Sequence, residues 1–308
     1  MSYRVLPTRG GLPPLHLLLA VAIMAVWGTN FVVIKFALAH LPPMTLALLR
    51  FAIAFFPLAL VVKRPAVPWW NLALYGVLIG AGQFGVLFTA MRADITPGLA
   101  SLVVQVQVFF TIGLSMRLSG EKVAPFQIVA LLLATAGLAM IALHTDGSAT
   151  PLGLAMTLFA ALSWALGNMV ARAAGKVDML GYVIWSSLFA VPPLLVLALL
   201  TDGWPRIAAG IAAADGATWA AVVWQSVGNT MFGYAAWGWL LARHPAAMVT
   251  PMALLVPVFG LGASALLLGE PLQWWKLAAF ILVMVGLAIG MLWPRLARLV
   301  QPTAGAVG

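Results

Sequence analysis

The sequence predicts an all-α integral membrane protein of ten transmembrane helices, built as two inverted five-helix repeats with both termini in the cytoplasm. Composition is the first reason. Apolar residues make up 64% of the 308-residue chain and charged residues 7%, with a mean hydropathy of +1.07. Soluble domains run at about 45–50% apolar and about 25% charged. The second reason is an internal repeat. The stretch G-L-A-S-L-V-V-Q-V-Q-V-F-F-T-I-G-L-S-M-R-L-S-G-E at 98–121 returns as A-M-V-T-P-M-A-L-L-V-P-V-F-G-L-G-A-S-A-L-L-L-G-E at 247–270. This sets Ser101 on Thr250, Phe110 on Phe259 and Gly120-Glu121 on Gly269-Glu270, and further on Gly137-Leu138-Ala139 on Gly286-Leu287-Ala288. Trp27 stands eight residues before Lys35, as Trp164 stands eight before Arg172. An internal repeat governs the reading of everything else. The third reason is the sidedness of the basic residues, which follows once the helices are placed.

A span needs about 20 apolar residues. The first helix covers 15–37. Arg4 and Arg9 before it give the amino terminus the look of a secretory signal, but a signal core is about 7–15 residues without charge, and this run carries Asn30 and Lys35, so it is read as a span that stays. Pro42-Pro43 separates it from a helix at 44–62, and Pro65 and Pro68 precede one at 71–91. Pro97-Gly98 opens the fourth, at 96–117, and a fifth follows at 124–143. After Asp146-Gly147 come helices at 152–173 and 179–200; after Asp202-Gly203 and Pro205, one at 217–241. Pro245 precedes a ninth at 246–268, and Pro271 a tenth at 273–293. These breaks carry turn chemistry. The domain reading is a cytoplasmic segment at 1–14, a first repeat at 15–143, a second at 152–293 and a cytoplasmic tail at 294–308. Pro251 and Pro257 stand where the matched fourth helix has Leu102 and Val108, which suggests a kink in the ninth helix alone.

With the amino terminus inside, eleven Lys and Arg fall on the cytoplasmic side, three (Arg92, Arg206 and Lys276) fall outside, and Lys35 and Arg50 lie within spans, accounting for all 16. Basic residues favour cytoplasmic loops, so the bias decides the orientation. Five helices per repeat is an odd number, so the second half crosses in the opposite sense to the first. Inverted repeats of this kind build transporters that expose one midplane site to each side in turn.

All seven acids (Asp94, Glu121, Asp146, Asp178, Asp202, Asp215 and Glu270) and all four histidines fall in loops or at span ends. Proton-driven pumps usually keep such a group inside the membrane, so a proton-coupled drug antiporter lacks its carboxylate and facilitated transport is the expectation. A lipid flippase is a further alternative, whose mark would be a lateral opening. The net charge of +9 comes from residues scattered over span ends, which argues against a nucleic-acid partner. There is no cysteine, no metal-ligand cluster, no nucleophile with a neighbouring His and acid, and no Walker-type loop. No enzyme activity, cofactor or metal is expected. The expected partners are a small-molecule substrate and the lipid bilayer, around a monomeric chain.

The interior holds neutral hydrogen-bonding groups, aromatics and two cations. Arg50, about two turns into helix 2, faces the bundle or a water-filled cavity because a charge in lipid is costly. It either reads a carboxylate with its two-pronged guanidinium or ties to backbone carbonyls or Asp94. Lys35 either joins it or snorkels to the interface. Asn30, Asn168, Asn229, Gln83, Gln105 and Gln107 lie within spans and need partners there. Gln105 and Gln107 are about 200° apart around a helix, so one lines the pathway and the other ties helices together; the sequence leaves open which. Trp27, Trp164, Trp185, Tyr234 and Trp237 sit away from the interfacial belts where such rings usually lie, and either line a cavity or fill a core.

The runs W-G-T-N-F-V-V-I-K at 27–35, L-P-P-M at 41–44, L-R-F at 49–51, G-L-A-S-L-V-V-Q-V-Q-V-F-F-T at 98–111, S-W-A-L-G-N at 163–168, V-I-W-S at 183–186, G-Y-A-A-W-G at 233–238 and L-L-V-P-V-F-G-L at 254–261 resemble the EamA family of the drug/metabolite transporter superfamily, particularly its bacterial amino-acid exporters of the O-acetylserine/cysteine type. The resemblance covers about 15 to 293. It implies ten helices, residence in the bacterial inner membrane and export of neutral amino acids.

Overall fold

The computed structural model describes residues 12–119, 124–144, 146–244 and 246–300. Glu121 and the outermost parts of the two terminal segments lie outside them. Nine helices among the described residues are long and apolar enough to cross a membrane: α1 (Pro14–Ala37), α2 (Pro43–Leu60), α3 (Trp69–Ala93), α4 (Pro97–Arg117), α5 (Pro125–Leu143), α6 (Pro151–Ala173), α7 (Met179–Asp202), α9 (Thr250–Leu268) and α10 (Trp274–Trp293). A tenth, α8 (Gly216–Arg243), follows a short helix, Trp204–Ala213, and is bent from it by 107°.

Two of the prolines read at breaks, Pro43 and Pro97, lie in a helix's first turn, as do Pro14, Pro125 and Pro151, where the missing N–H is one the helix would leave unpaired anyway. Two of the acids expected at span ends cap helices. Asp178 accepts from the Leu180 and Gly181 amides, and Asp215 from the Thr218 amide. The short helix Trp204–Ala213 was not expected; Pro205 lies in its first turn instead of breaking the chain.

Two helices depart from α geometry at matched places. Leu78–Gly85 in α3 and Gln225–Phe232 in α8 are π-helical, and their starts and ends are both 147 residues apart (225 − 78 and 232 − 85). Val104–Val106 in α4 and Thr250–Leu254 in α9 are both 3-10 helical. The irregularity therefore does not belong to the ninth helix alone, as Pro251 and Pro257 had suggested. In α4 no proline marks it.

The main pairings are α1 with α8 and α9, α6 with α3 and α4, α2 with α7, α5 with α10, and α3 with α7, whose counterpart, α8 with α2, is the lighter of the two. Exchanging the first five helices for the second five leaves these pairings unchanged. The α5–α10 contact shows it residue by residue. A methyl on Gly137 would lie 2.9 Å from the Ala279 carbonyl oxygen, and one on Gly286 would lie 2.6 Å from that of Ala130. Each of the two glycines that the repeat superposes lets the other half's backbone approach.

At the end of the bundle that carries Lys35, polar groups bind the helices together. Thr45 donates its amide and hydroxyl to Asp202 Oδ2 at 2.8 and 2.9 Å. The Thr150 hydroxyl donates to Asp94 at 2.9 Å, and Ile95 pairs with Ala149 in an isolated β-bridge. Glu270 accepts from Thr96, from the Gly98 amide at 3.1 Å and from Ser264. Lys276, placed from the sequence at the outer end of the tenth helix, is fully buried in α10. Its Nζ lies 3.7 Å from Glu270 and 3.8 Å from Asp146.

Candidate functional site

The densest polar stretch inside any span is Q-S-V-G-N-T at 225–230 in α8. A π segment shifts the residues beyond it around the helix and is frequent at functional sites. Here Gln225, Ser226, Asn229 and Thr230 are all buried. The widened turn is held in part by Thr230, whose hydroxyl donates to the Gln225 carbonyl five residues back at 3.0 Å.

This stretch meets α1 and α2. Gln225 and Asn30 exchange amide bonds, Nε2 to Oδ1 at 2.8 Å and Nδ2 to Oε1 at 3.3 Å. Gln225 Oε1 also accepts from Arg50 Nη1 at 2.7 Å, short as befits a charged donor. Arg50 Nη2 reaches the Thr230 hydroxyl at 3.3 Å, the long end of the range, and Ser226 donates to the Arg50 carbonyl at 2.8 Å. Arg50 is 2% exposed, its Nε has no acceptor, and its Cζ lies 3.8 Å from the centre of the Phe84 ring of α3. Among the described residues no carboxylate pairs with it.

An aromatic group stands beside this cluster. Trp27 packs against Tyr234 and Trp237, with centroids 5.7 and 5.6 Å away, and donates its indole N–H to the Asn229 carbonyl at 3.2 Å. All three rings are half-buried. A Cβ on Gly233 would lie 2.2 Å from Trp27 Nε1, so the indole occupies the space that glycine leaves. Tyr234 is close enough to couple electrostatically to Arg50.

Of the remaining sequence candidates, Gln83 lies in the α3 π segment and Gln105 in the α4 3-10 turn. Both are buried, and neither amide makes a hydrogen bond among the described residues. Gln107 is a helix tie: its Oε1 accepts from Asn168 of α6 at 3.0 Å and from Thr111 at 3.3 Å. Lys35 caps the far end of α3, donating to the Met91 and Arg92 carbonyls at 3.0 and 3.1 Å. Trp185 donates to the Val62 carbonyl at 2.9 Å at the opposite end of the bundle, and Trp164 is half-buried on α6. Sequence reasoning missed Gln225, Ser226, Thr230 and Phe84. The run of polar residues at 225–230 was the signal for the first three; Phe84 had none.

Cavities of about 520 Å³, lined by His40, Met44, Arg92 and Asp202 among others, and about 480 Å³, lined by Lys35, Asp146, Glu270 and Gln273 among others, open at the Lys35 end. Neither is lined by Arg50. Among the described residues no three His, Asp or Glu side chains gather as metal ligands.

Nine or ten apolar spans among the described residues and a buried polar cluster are what a membrane carrier requires, and comparison with known proteins gives the family. The model of the EamA-like transporter family matches residues 14–143 and again 151–292. The chain belongs to the EamA-like transporter family. It is a multi-pass membrane transporter and not an enzyme. A protein of Salmonella typhimurium named "Probable amino-acid metabolite efflux pump" is 39% identical to this family member over 91% of the chain and 96% of its own length. The protein of that name from Escherichia coli K12 is 38% identical over 90% and 96%. An uncharacterized inner membrane transporter of Escherichia coli K12 is 26% identical over 87% and 89%. A protein crystal structure 19% identical in sequence aligns with a TM-score of 0.63, over 94% of this chain and all of the other, a likeness of fold alone.

Proposed function

We propose that this protein exports small neutral amino acids and related metabolites across the bacterial inner membrane by alternating access. In this reading 15–143 and 152–293 are inverted five-helix repeats, both termini are cytoplasmic, and the Lys35 end faces outward. The eleven-to-three bias of basic residues, the exchangeable pairings and the matched π and 3-10 segments support it. The names of the 39% and 38% identical relatives support the substrate class.

One observation carries the reading. Arg50 is a cation buried in the middle of the bundle, paired with neutral groups only, with Nε unsatisfied. Such a charge is costly without a counter-ion, and the carboxylate of a substrate supplies one. Trp27, Tyr234 and Trp237 shape the space beside it, and Asn30, Gln83 and Gln105 bind the rest of the substrate, Gln107 being the helix tie; Lys35, Trp164, Asn168 and Trp185 bound the route. Transport is facilitated, by a monomer.

The test is flux of labelled neutral amino acids in proteoliposomes, with and without a pH gradient. Saturable flux indifferent to the gradient is expected. Flux only with the gradient would contradict the facilitative step and point to the buried acids Asp202 and Glu270. No flux of any amino acid would reject the substrate class.

A further inference from the structure

The guanidinium of Arg50 has two usable edges. Nη1 lies on the side away from the Nε–H, and Gln225 Oε1 holds it at 2.7 Å. Gln225 is itself fixed by its two-way amide exchange with Asn30, so this side is a mount. The other edge, Nε with Nη2, is the pair of parallel donors that a carboxylate accepts in fork fashion. On that edge Nε has no acceptor, and Nη2 has only the Thr230 hydroxyl at 3.3 Å. The Phe84 ring, 3.8 Å away, covers one face of the plane, so a ligand approaches within the plane and along this edge. Orphaned donors on a buried cation cost free energy until an acceptor arrives.

Among the described residues nothing comparable awaits an ammonium group beside Arg50. The side chains gathered around Arg50 are amides, hydroxyls and aromatics. The buried acids Asp202 and Glu270 are engaged elsewhere, Asp202 by Thr45 and Glu270 by Thr96, Gly98 and Ser264. A site with a fork for the carboxylate and no anion for the amine discriminates on the first group alone.

We infer that the Nε–Nη2 edge of Arg50 is a carboxylate dock, mounted by Gln225, which makes the substrate's carboxylate obligatory and its amine dispensable. The protein therefore also carries monocarboxylates without a free amine: 2-hydroxy acids and N-acylated amino acids. This rests on the reading that Arg50 faces the transported substrate. Gln225 acts through Arg50 and is a positioning residue.

The test is counterflow in proteoliposomes holding the full-length protein, with labelled L-serine and labelled glycerate as separate tracers. Unlabelled serine, glycerate, N-acetylserine, serinamide and ethanolamine compete. Glycerate and N-acetylserine are expected to compete within about tenfold of serine, and serinamide and ethanolamine at least about tenfold more weakly than either, since loss of one charge-assisted bond is about a factor of ten. Arg50→Lys keeps the charge and loses the edge. It is expected to weaken all three carboxylates alike, by about tenfold, a selective loss across the panel that a mere loss of the Gln225 and Thr230 bonds would not produce. If serinamide or ethanolamine competes and glycerate does not, the proposal is wrong, and the aromatic group of Trp27, Tyr234 and Trp237 reads the amine. Glycerate counterflow without serine counterflow would support the dock while rejecting the amino-acid reading. No counterflow of either tracer overturns both. The panel on the unmodified protein decides the matter even where the variant fails to fold.

Discussion

The π segments of α3 and α8 share a backbone irregularity and differ in chemistry. Leu78–Gly85 carries three glycines and one amide, Gln83, which makes no hydrogen bond among the described residues. Gln225–Phe232 carries Gln225, Ser226, Asn229 and Thr230, and three of these bond to Arg50. The two segments carry the same distortion of the helix, and their side chains divide the labour. One segment packs closely against α6 and α7 through small residues; the other mounts a cation.

The largest effect lies after α9, where the second half fastens itself to the first. Glu270, after α9, holds the start of α4 and neutralises Lys276. Glu270→Ala leaves the buried ammonium with Asp146 alone at 3.8 Å, and removing one partner of a buried pair costs about 3–5 kcal/mol. Denaturant unfolding in detergent measures it; a loss comparable to a surface substitution would show that Lys276 is not held this way.

The two π segments are compared directly by Gln225→Leu and Gln83→Leu. The first orphans Arg50 Nη1 and the Asn30 amide and is expected to cost about 2–3 kcal/mol, the contribution of hydrogen bonds to a charged group. The second removes no hydrogen bond seen here and is expected to cost less than about 1 kcal/mol. Equal losses in the same unfolding assay would break the comparison.

A smaller effect belongs to the far end of α8. His244, just past the helix, lies 2.6 Å from His16 nitrogen to nitrogen. Burial first, then the charges of His16 and Arg243, hold it below the ordinary 6.5. A base whose pKa is lowered on folding binds more protons when unfolded, so stability falls as pH drops below about 6.5 and levels off beneath the folded value. His244→Gln should flatten melting temperature between pH 7 and 5 relative to the unmodified protein; an unchanged slope would assign the dependence elsewhere.

Much of the fold could be read in advance. Helix ends came within a few residues, because prolines and the Asp-Gly turns punctuate apolar runs, and the duplication was visible in the match of 98–121 with 247–270. Arg50 and Asn30 were recognised as needing partners, since charge and amides are costly in lipid. Their partner Gln225 was not, because which faces meet depends on how α8 lies against α1 and α2. The π and 3-10 segments have no composition of their own; they are set by which carbonyl each amide reaches. That Lys276 is buried could not be read from its position two residues into α10, because only packing brings Glu270 and Asp146 beside it.

The measurement closest to the central claim is equilibrium binding of a labelled neutral amino acid to the purified protein, compared with Arg50→Gln. The account expects saturable binding that weakens by at least about tenfold in the variant, as for loss of a charge-assisted carboxylate contact, while the variant stays folded and monodisperse. Equal affinity in the two proteins would contradict it, and would return Arg50 to the role of a structural tie between α2 and α8.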